Sequence, residues 1–124
     1  MEMSNSSIIR SVDNPDSGIL TLKMLSFDPD GGVDLSTVRA GAVLEVQTRN
    51  TAYTVIPQVS GEVLIWGHPE FCPEPVSLNG LGSTYVTGVF RPGYLGLGMR
   101  LSFQIAGRHI TTSRILKIQA KPRN

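Results

Sequence analysis

Apolar and polar side chains alternate along much of the chain, and the alternation has the period of a β-strand. Met99, Leu101, Phe103 and Ile105 are interleaved with Arg100, Ser102 and Gln104, which puts the apolar set on one face of a half-buried strand. Ala42, Leu44, Val46 and Thr48 alternate with Glu45, Gln47 and Arg49, and Thr51, Tyr53 and Val55 resume the pattern after Asn50. Further strands are predicted over 19–27, 62–66, 75–78, 84–90 and 110–119, runs rich in Val, Ile, Thr and aromatic residues. Turn formers separate them: Asp28-Pro29-Asp30-Gly31-Gly32, Ser60-Gly61, Asn79-Gly80, Arg91-Pro92-Gly93 and Ala106-Gly107. No stretch keeps a long 3.6-residue apolar period. A single helical turn is expected over 34–38, with Asp34 as its N-cap and Gly41 just beyond its end.

The last predicted strand carries a fault. Ile110, Thr112, Leu116 and Ile118 fit one face, but Arg114 falls on that face and Ile115 points away. A bulge near Ser113 and Arg114 repairs the alternation, and it bends the strand as barrel closure requires. The pattern as a whole predicts an all-β fold: a single small β-barrel or β-sandwich of about seven mainly antiparallel strands. The barrel is preferred because the chain is glycine-rich and bends. Residues 19–124 are expected to form one β domain, preceded by a flexible segment over 1–18.

A length of 124 residues suits one domain with its own core. The apolar runs are short, Val63-Leu64-Ile65-Trp66 among them, whereas a membrane-spanning helix needs roughly 20 apolar residues. The Ser-rich start has no apolar signal region, and the single cysteine, Cys72, excludes an internal disulfide framework. A cytoplasmic protein without membrane contact is expected. Net charge is +1, yet residues 1–74 hold all ten acids against four bases, and residues 75–124 hold seven bases and no acid. Either the two halves neutralise each other across a sheet or subunit interface, or the second half forms a basic surface.

Candidate chemistry is sparse. The proline-rich stretch Gly67-His68-Pro69-Glu70-Phe71-Cys72-Pro73-Glu74-Pro75 reads as a stiff loop. His68 and Cys72, joined by distant His109, are the weak alternative for a metal site. A structural zinc wants four ligands, so no metal and no cofactor is expected. Cys72 reads as a small buried hydrophobe and His68 as a cap. Asp28-x-Asp30-Gly31-x-x-Asp34 faintly resembles a calcium loop, but its twelfth position is Arg39 where a bidentate Glu is needed. Gly93-Tyr94-Leu95-Gly96-Leu97-Gly98 lacks the Lys-Ser/Thr ending of a phosphate cradle. Serines and threonines abound without a nucleophile motif around either histidine. For single-stranded nucleic acid, the interleaved set is Tyr85, Phe90, Arg91, Tyr94 and Arg100.

Three segments belong together: Thr48-Arg49-Asn50-Thr51-x-Tyr53, Gly98-Met99-Arg100-Leu101-x-Phe103 and Thr111-Thr112-Ser113-x-Ile115. In these the chain resembles a group of short uncharacterised bacterial proteins over about its last two-thirds. The resemblance implies no activity. It directs attention to Arg49, Asn50, Arg100 and Ser113, to which Arg114 is added by its place at the expected bulge. Arginine forks with an amide and small hydroxyls match the oxygens of a carboxylate or phosphate. The competing reading pairs Arg49 with Glu45 or Glu62 across the sheet.

The expected function is a non-catalytic binding or interaction module that self-associates as a homo-oligomer and so covers its strand edges. The alternative is a ligand-binding protein or enzyme with an anion-accepting pocket around Arg49 and Arg100. The third reading is single-stranded nucleic-acid binding through the basic half.

Overall fold

The computed structural model describes residues 25–121. The expected segment over 1–18 and most of the strand expected over 19–27 lie outside the described residues. The first elements are β1 (Val33–Asp34) and a 3-10 turn (Leu35–Thr37), where Asp34 Oδ1 accepts the Ser36 N–H as the expected cap. Then follow β2 (Leu44–Thr48), β3 (Ala52–Pro57), β4 (Val63–Trp66), β5 (Val76–Leu78), β6 (Gly82–Thr84) and β7 (Phe90–Pro92). The chain ends with β8 (Tyr94–Leu95), β9 (Arg100–Ile105) and β10 (Arg108–Ala120). The fold is all-β, with more strands than the seven expected.

Eight strands form one antiparallel sheet in the order β5-β4-β3-β2-β10-β9-β6-β7, and β1 pairs with β8 in a small second sheet. Connectivity forces the large sheet to curl. Six strand spacings separate β5 from β6 in that order, about 29 Å if the sheet were flat. Only residues 79–81 join them, and four Cα steps reach about 14 Å at most. The sheet therefore wraps into a half-barrel, and β5 comes to lie against β9.

The core lines the inside of this curl. Leu44, Val46, Val55, Ile65, Leu101 and Ile115 are buried there, and Tyr53 meets Phe103 edge-on at 6.3 Å. The small sheet adds Val33 and Leu95, and Leu35 donates its N–H to Gly93 O at 2.8 Å. Before β1, Asp28 Oδ1 accepts the N–H groups of Asp30 (3.0 Å) and Gly32 (2.9 Å), so the Asp/Gly run is a side-chain-stapled turn. Among the described residues no helix is long and apolar enough to cross a membrane.

Three expectations are corrected. The strand expected over 84–90 is a hairpin instead: Tyr85 N–H bonds Val89 O at 2.9 Å, and Gly88, at φ 94°, turns the chain. Arg91 and Pro92, expected in a turn, belong to edge strand β7, where a proline is tolerated because its missing N–H faces no partner. Leu116, expected in the core, is 60% exposed, while Ile115 is buried.

Candidate functional site

Both faults of the last strand come from β10 serving two partners. Its first half pairs with β9 and its second half with β2. After Thr111 opposite Ser102, the next pair is Arg114 opposite Arg100, so β10 spends Thr112 and Ser113 where β9 spends Leu101. This is the bulge expected from the sequence. Leu101 N–H finds its acceptor in the buried Thr112 hydroxyl at 3.1 Å, and that hydroxyl donates to Ser113 O at 2.7 Å. A second shift follows between Ile115 and Lys117 against β2, and Leu116 is its extra, outward residue. Ile110, Thr112 and Ile115 point into the core, so Ser113 and Arg114 both face away from it. Regular alternation would have buried one of them.

The bulge also sets a row of arginines. Arg49 N–H donates to Arg114 O at 3.0 Å, and Arg114 lies directly opposite Arg100. Arg49, Arg114 and Arg100 thus sit abreast on adjoining segments, all exposed, spanning about 10 Å at ordinary strand spacing. Arg100 Nη1 donates to Thr112 O at 3.2 Å. Among the described residues, no carboxylate lies within 4 Å of any of the three. The pairing of Arg49 with Glu45 or Glu62 does not occur there. Glu45 holds Gln119 (2.8 Å) and Lys121 (3.9 Å), and Glu62 accepts the Ser77 hydroxyl (2.7 Å). Like charges directly opposite each other on a sheet cost stability, on the order of a few tenths of a kcal/mol. Among the described residues no acid offsets this cost.

Beside the row, β2 parts from β10 and opens a cleft of about 170 Å³. Its walls are the turn over 48–53, the first half of β10 over 110–113, and His68 and Phe71 of the next loop. Asn50 and Ser113 meet across it, with Asn50 N–H bonded to Ser113 Oγ at 3.1 Å. His68 Nδ1 accepts the N–H groups of Glu70 and Phe71, both at 3.1 Å. This makes Nε2 the protonated atom of the neutral ring. The ring stacks between Tyr53 and Phe71, and the Arg108 guanidinium lies over Phe71 at 5.0 Å. Burial pushes the Tyr53 phenol up to about 12, so it stays neutral. No family model, curated protein or solved structure matches the chain.

All five residues singled out from the sequence, Arg49, Asn50, Arg100, Ser113 and Arg114, therefore lie together at the bulge. They split in role: Asn50 and Ser113 line the cleft, and the arginines run beside it. Thr111 and Phe71, which the sequence presents only inside separate segments, join the cleft lining. No spacing could have joined them, because the cleft exists only where β2 departs from β10.

The other constellations disperse. His68 and Cys72 form an isolated bridge, with Cys72 N–H bonded to His68 O at 3.1 Å. The Cys72 thiol is fully buried, and burial pushes its pKa up. His109 opens β10 opposite Gln104, in a separate groove with Asn79 and Phe90. The three are not brought together, and among the described residues no group of three His, Cys, Asp or Glu could hold a metal. Of the aromatic set, Tyr94 is buried beneath the Arg91 guanidinium, 3.7 Å from its ring centre, and the Phe90 ring packs over Gly82. Arg91 Nη1 also holds Tyr85 Oη at 3.2 Å. The Tyr94 face is taken by internal contacts, while Tyr85 and Phe90 stay partly exposed.

Proposed function

We propose that the protein is a non-catalytic binding module that holds an anionic group over the row Arg49, Arg114 and Arg100. One observation carries this reading: three exposed arginines occupy neighbouring register positions across adjoining segments with no carboxylate beside them among the described residues. Planar forks of this kind grip phosphate, sulfate or carboxylate oxygens bidentately, and an anion relieves their mutual repulsion. The surroundings supply hydrogen-bond donors and aromatic faces. The one thiol is buried and held protonated, which suits binding better than nucleophilic attack.

The test is titration with inorganic phosphate followed by amide chemical shifts. Shifts should concentrate at Asn50, Ser113 and Arg114. Arg114→Ala should weaken binding about tenfold, in line with one lost charge-assisted pair. Arg39→Ala, on another exposed segment, should leave it unchanged. Shifts spread evenly over all exposed bases would overturn the reading.

A second reading, self-association with another copy of this chain, is favoured by the β6–β7 hairpin. Val86 is 83% and Val89 59% exposed at its tip, beside half-exposed Tyr85 and Phe90. Grouped aromatic and aliphatic side chains next to an arginine have the composition of interface cores. The Arg91 guanidinium beside this tip is held by the Tyr85 hydroxyl and the Tyr94 ring. Sedimentation at rising concentration should show a dimer that Val86→Asp dissociates. A wild-type monomer at millimolar concentration removes the idea.

A further inference from the structure

Resting on the anion reading above, we infer that the cleft between the β2–β3 turn and the first half of β10 takes the ring of a small polyhydroxylated molecule. The arginine row would hold the anionic group that this ring carries. The ligand class is a monosaccharide bearing a phosphate or sulfate.

The cleft is small. At about 170 Å³ it has the liquid volume of about six waters, well below the roughly 300 Å³ at which drug-sized pockets begin. One saturated ring suits it; a nucleotide does not.

The Thr48, Thr51 and Thr112 hydroxyls of its lining are engaged within the fold, but other polar groups are unspent. Ser113 Oγ accepts the Asn50 N–H, which leaves its own proton to donate. The exposed Thr111 hydroxyl and the Asn50 side-chain amide have no hydrogen-bond partner among the described residues. His68, with Nδ1 occupied as an acceptor, keeps an N–H at Nε2. Hydroxyls and amides that both donate and accept match the hydroxyls of a sugar, which do the same. Among the described residues no carboxylate lines the cleft; Glu70, on the same loop, contributes its backbone N–H to His68 and is exposed.

The row and the cleft are joined through the backbone. Asn50 follows Arg49, and Ser113 precedes Arg114 where the bulge turns both outward. An anionic substituent on a ring in the cleft thus lies next to the arginines.

Calorimetric titration of the full chain with glucose 6-phosphate, glucose 6-sulfate, glucose and inorganic phosphate tests this. The sugar phosphate or the sugar sulfate should bind at least about tenfold more tightly than inorganic phosphate, and comparing those two arms identifies the anion. The variant Thr111→Val, which leaves the arginine row and Asn50 intact, should reduce sugar-phosphate affinity towards that of phosphate, with phosphate itself unchanged. Arg114→Ala should weaken both. Equal binding of inorganic phosphate and both sugar esters by the wild type overturns the cleft inference and leaves the arginine reading standing. If no anion binds, both fall. If Thr111→Val loses phosphate as well, the cleft is not a separate subsite.

Discussion

Two corners of this barrel hold arginines, and they hold them differently. At one corner Arg91 is saturated: its guanidinium lies 3.7 Å over the Tyr94 ring and bonds Tyr85 Oη, while Tyr94 Oη donates to Asp28 Oδ2 at 2.7 Å. At the other corner Arg49, Arg114 and Arg100 stand in register with no acid near them among the described residues, and Arg100 alone reaches a carbonyl. The first arrangement explains itself as structure. It ties the turn before β1 to β8 through a continuous chain of contacts. The second does not explain itself in that way, because like charges aligned across a sheet subtract from stability. An arginine's identity tells little about its role; the presence or absence of its partners tells more.

Raising the pH should break the saturated corner and leave the row untouched, since guanidinium groups stay charged throughout. Burial pushes Tyr94 up to about 12, and the hydrogen bond to Asp28 adds to the shift; burial does the same to Tyr53. Both folded-state values lie above the ordinary 10.0, so the stability they confer is complete below pH 10 and is lost as pH rises through about 12. The loss should amount to on the order of 2 kcal/mol for each buried phenol. Urea denaturation at pH 9, 10.5 and 12 measures it, and phenolate absorbance tracks the titration. Unchanged stability across this window would mean that neither phenol is protected by the fold. Acid acts on the same corner from the other side. The Tyr94 hydrogen bond and the Gly32 N–H hold Asp28 below the ordinary 3.8, so its contribution persists above that value and disappears as pH falls through the lowered one.

A narrower cut at the same corner is Gly32→Ala. A Cβ at Gly32 would occupy the place of the Tyr94 hydroxyl, so the phenol must move and lose Asp28. Overpacking of this kind costs about 1–3 kcal/mol. The midpoint of urea unfolding should fall with its slope unchanged, and phosphate affinity should stay at the wild-type value. A loss of phosphate binding would mean that the two corners are coupled and their separation is wrong.

The sequence exposes this contrast only in part. Alternation reveals β2 and β3 because each has one buried face, and the burial patterns over Leu44–Thr48 and Ala52–Pro57 follow it residue by residue; it reveals β9 too, although Ser102, expected on the polar face, is buried as well. It misses the β6–β7 hairpin because Tyr85, Val86 and Val89 imitate a buried run while sitting exposed around Gly88. It detects the first bulge of β10, since Arg114 cannot lie on an apolar face, but not the second. That shift depends on β2 as a partner, and Leu116 is consequently assigned to the wrong side. The five site residues were recognisable as a group. Their register, with Asn50 against Ser113 across 63 positions, is a product of long-range pairing that no local pattern encodes. Whether Arg91 or Arg114 had partners was equally invisible: both are exposed arginines in the acid-free part of the chain.

The smallest expected effect is also the most discriminating. Arg114→Gln removes the middle charge of the row and should raise the unfolding midpoint slightly, by a few tenths of a kcal/mol at low ionic strength. The gain should vanish in about 1 M sodium chloride, where the screening length is about 3 Å and the arginines no longer repel one another. Arg91→Gln removes the stack on Tyr94 and the bond to Tyr85, so it should lower the midpoint, and salt should restore little of it because short-range contacts were lost. Thermal unfolding of the two variants at low and high salt gives four numbers whose signs decide the matter. Opposite signs at low salt, converging only for Arg114, mean that one corner is built for the fold and the other is held in readiness for an anion. If Arg114→Gln destabilises as Arg91→Gln does, the row has internal partners of its own, and its claim to be a binding site loses its physical basis.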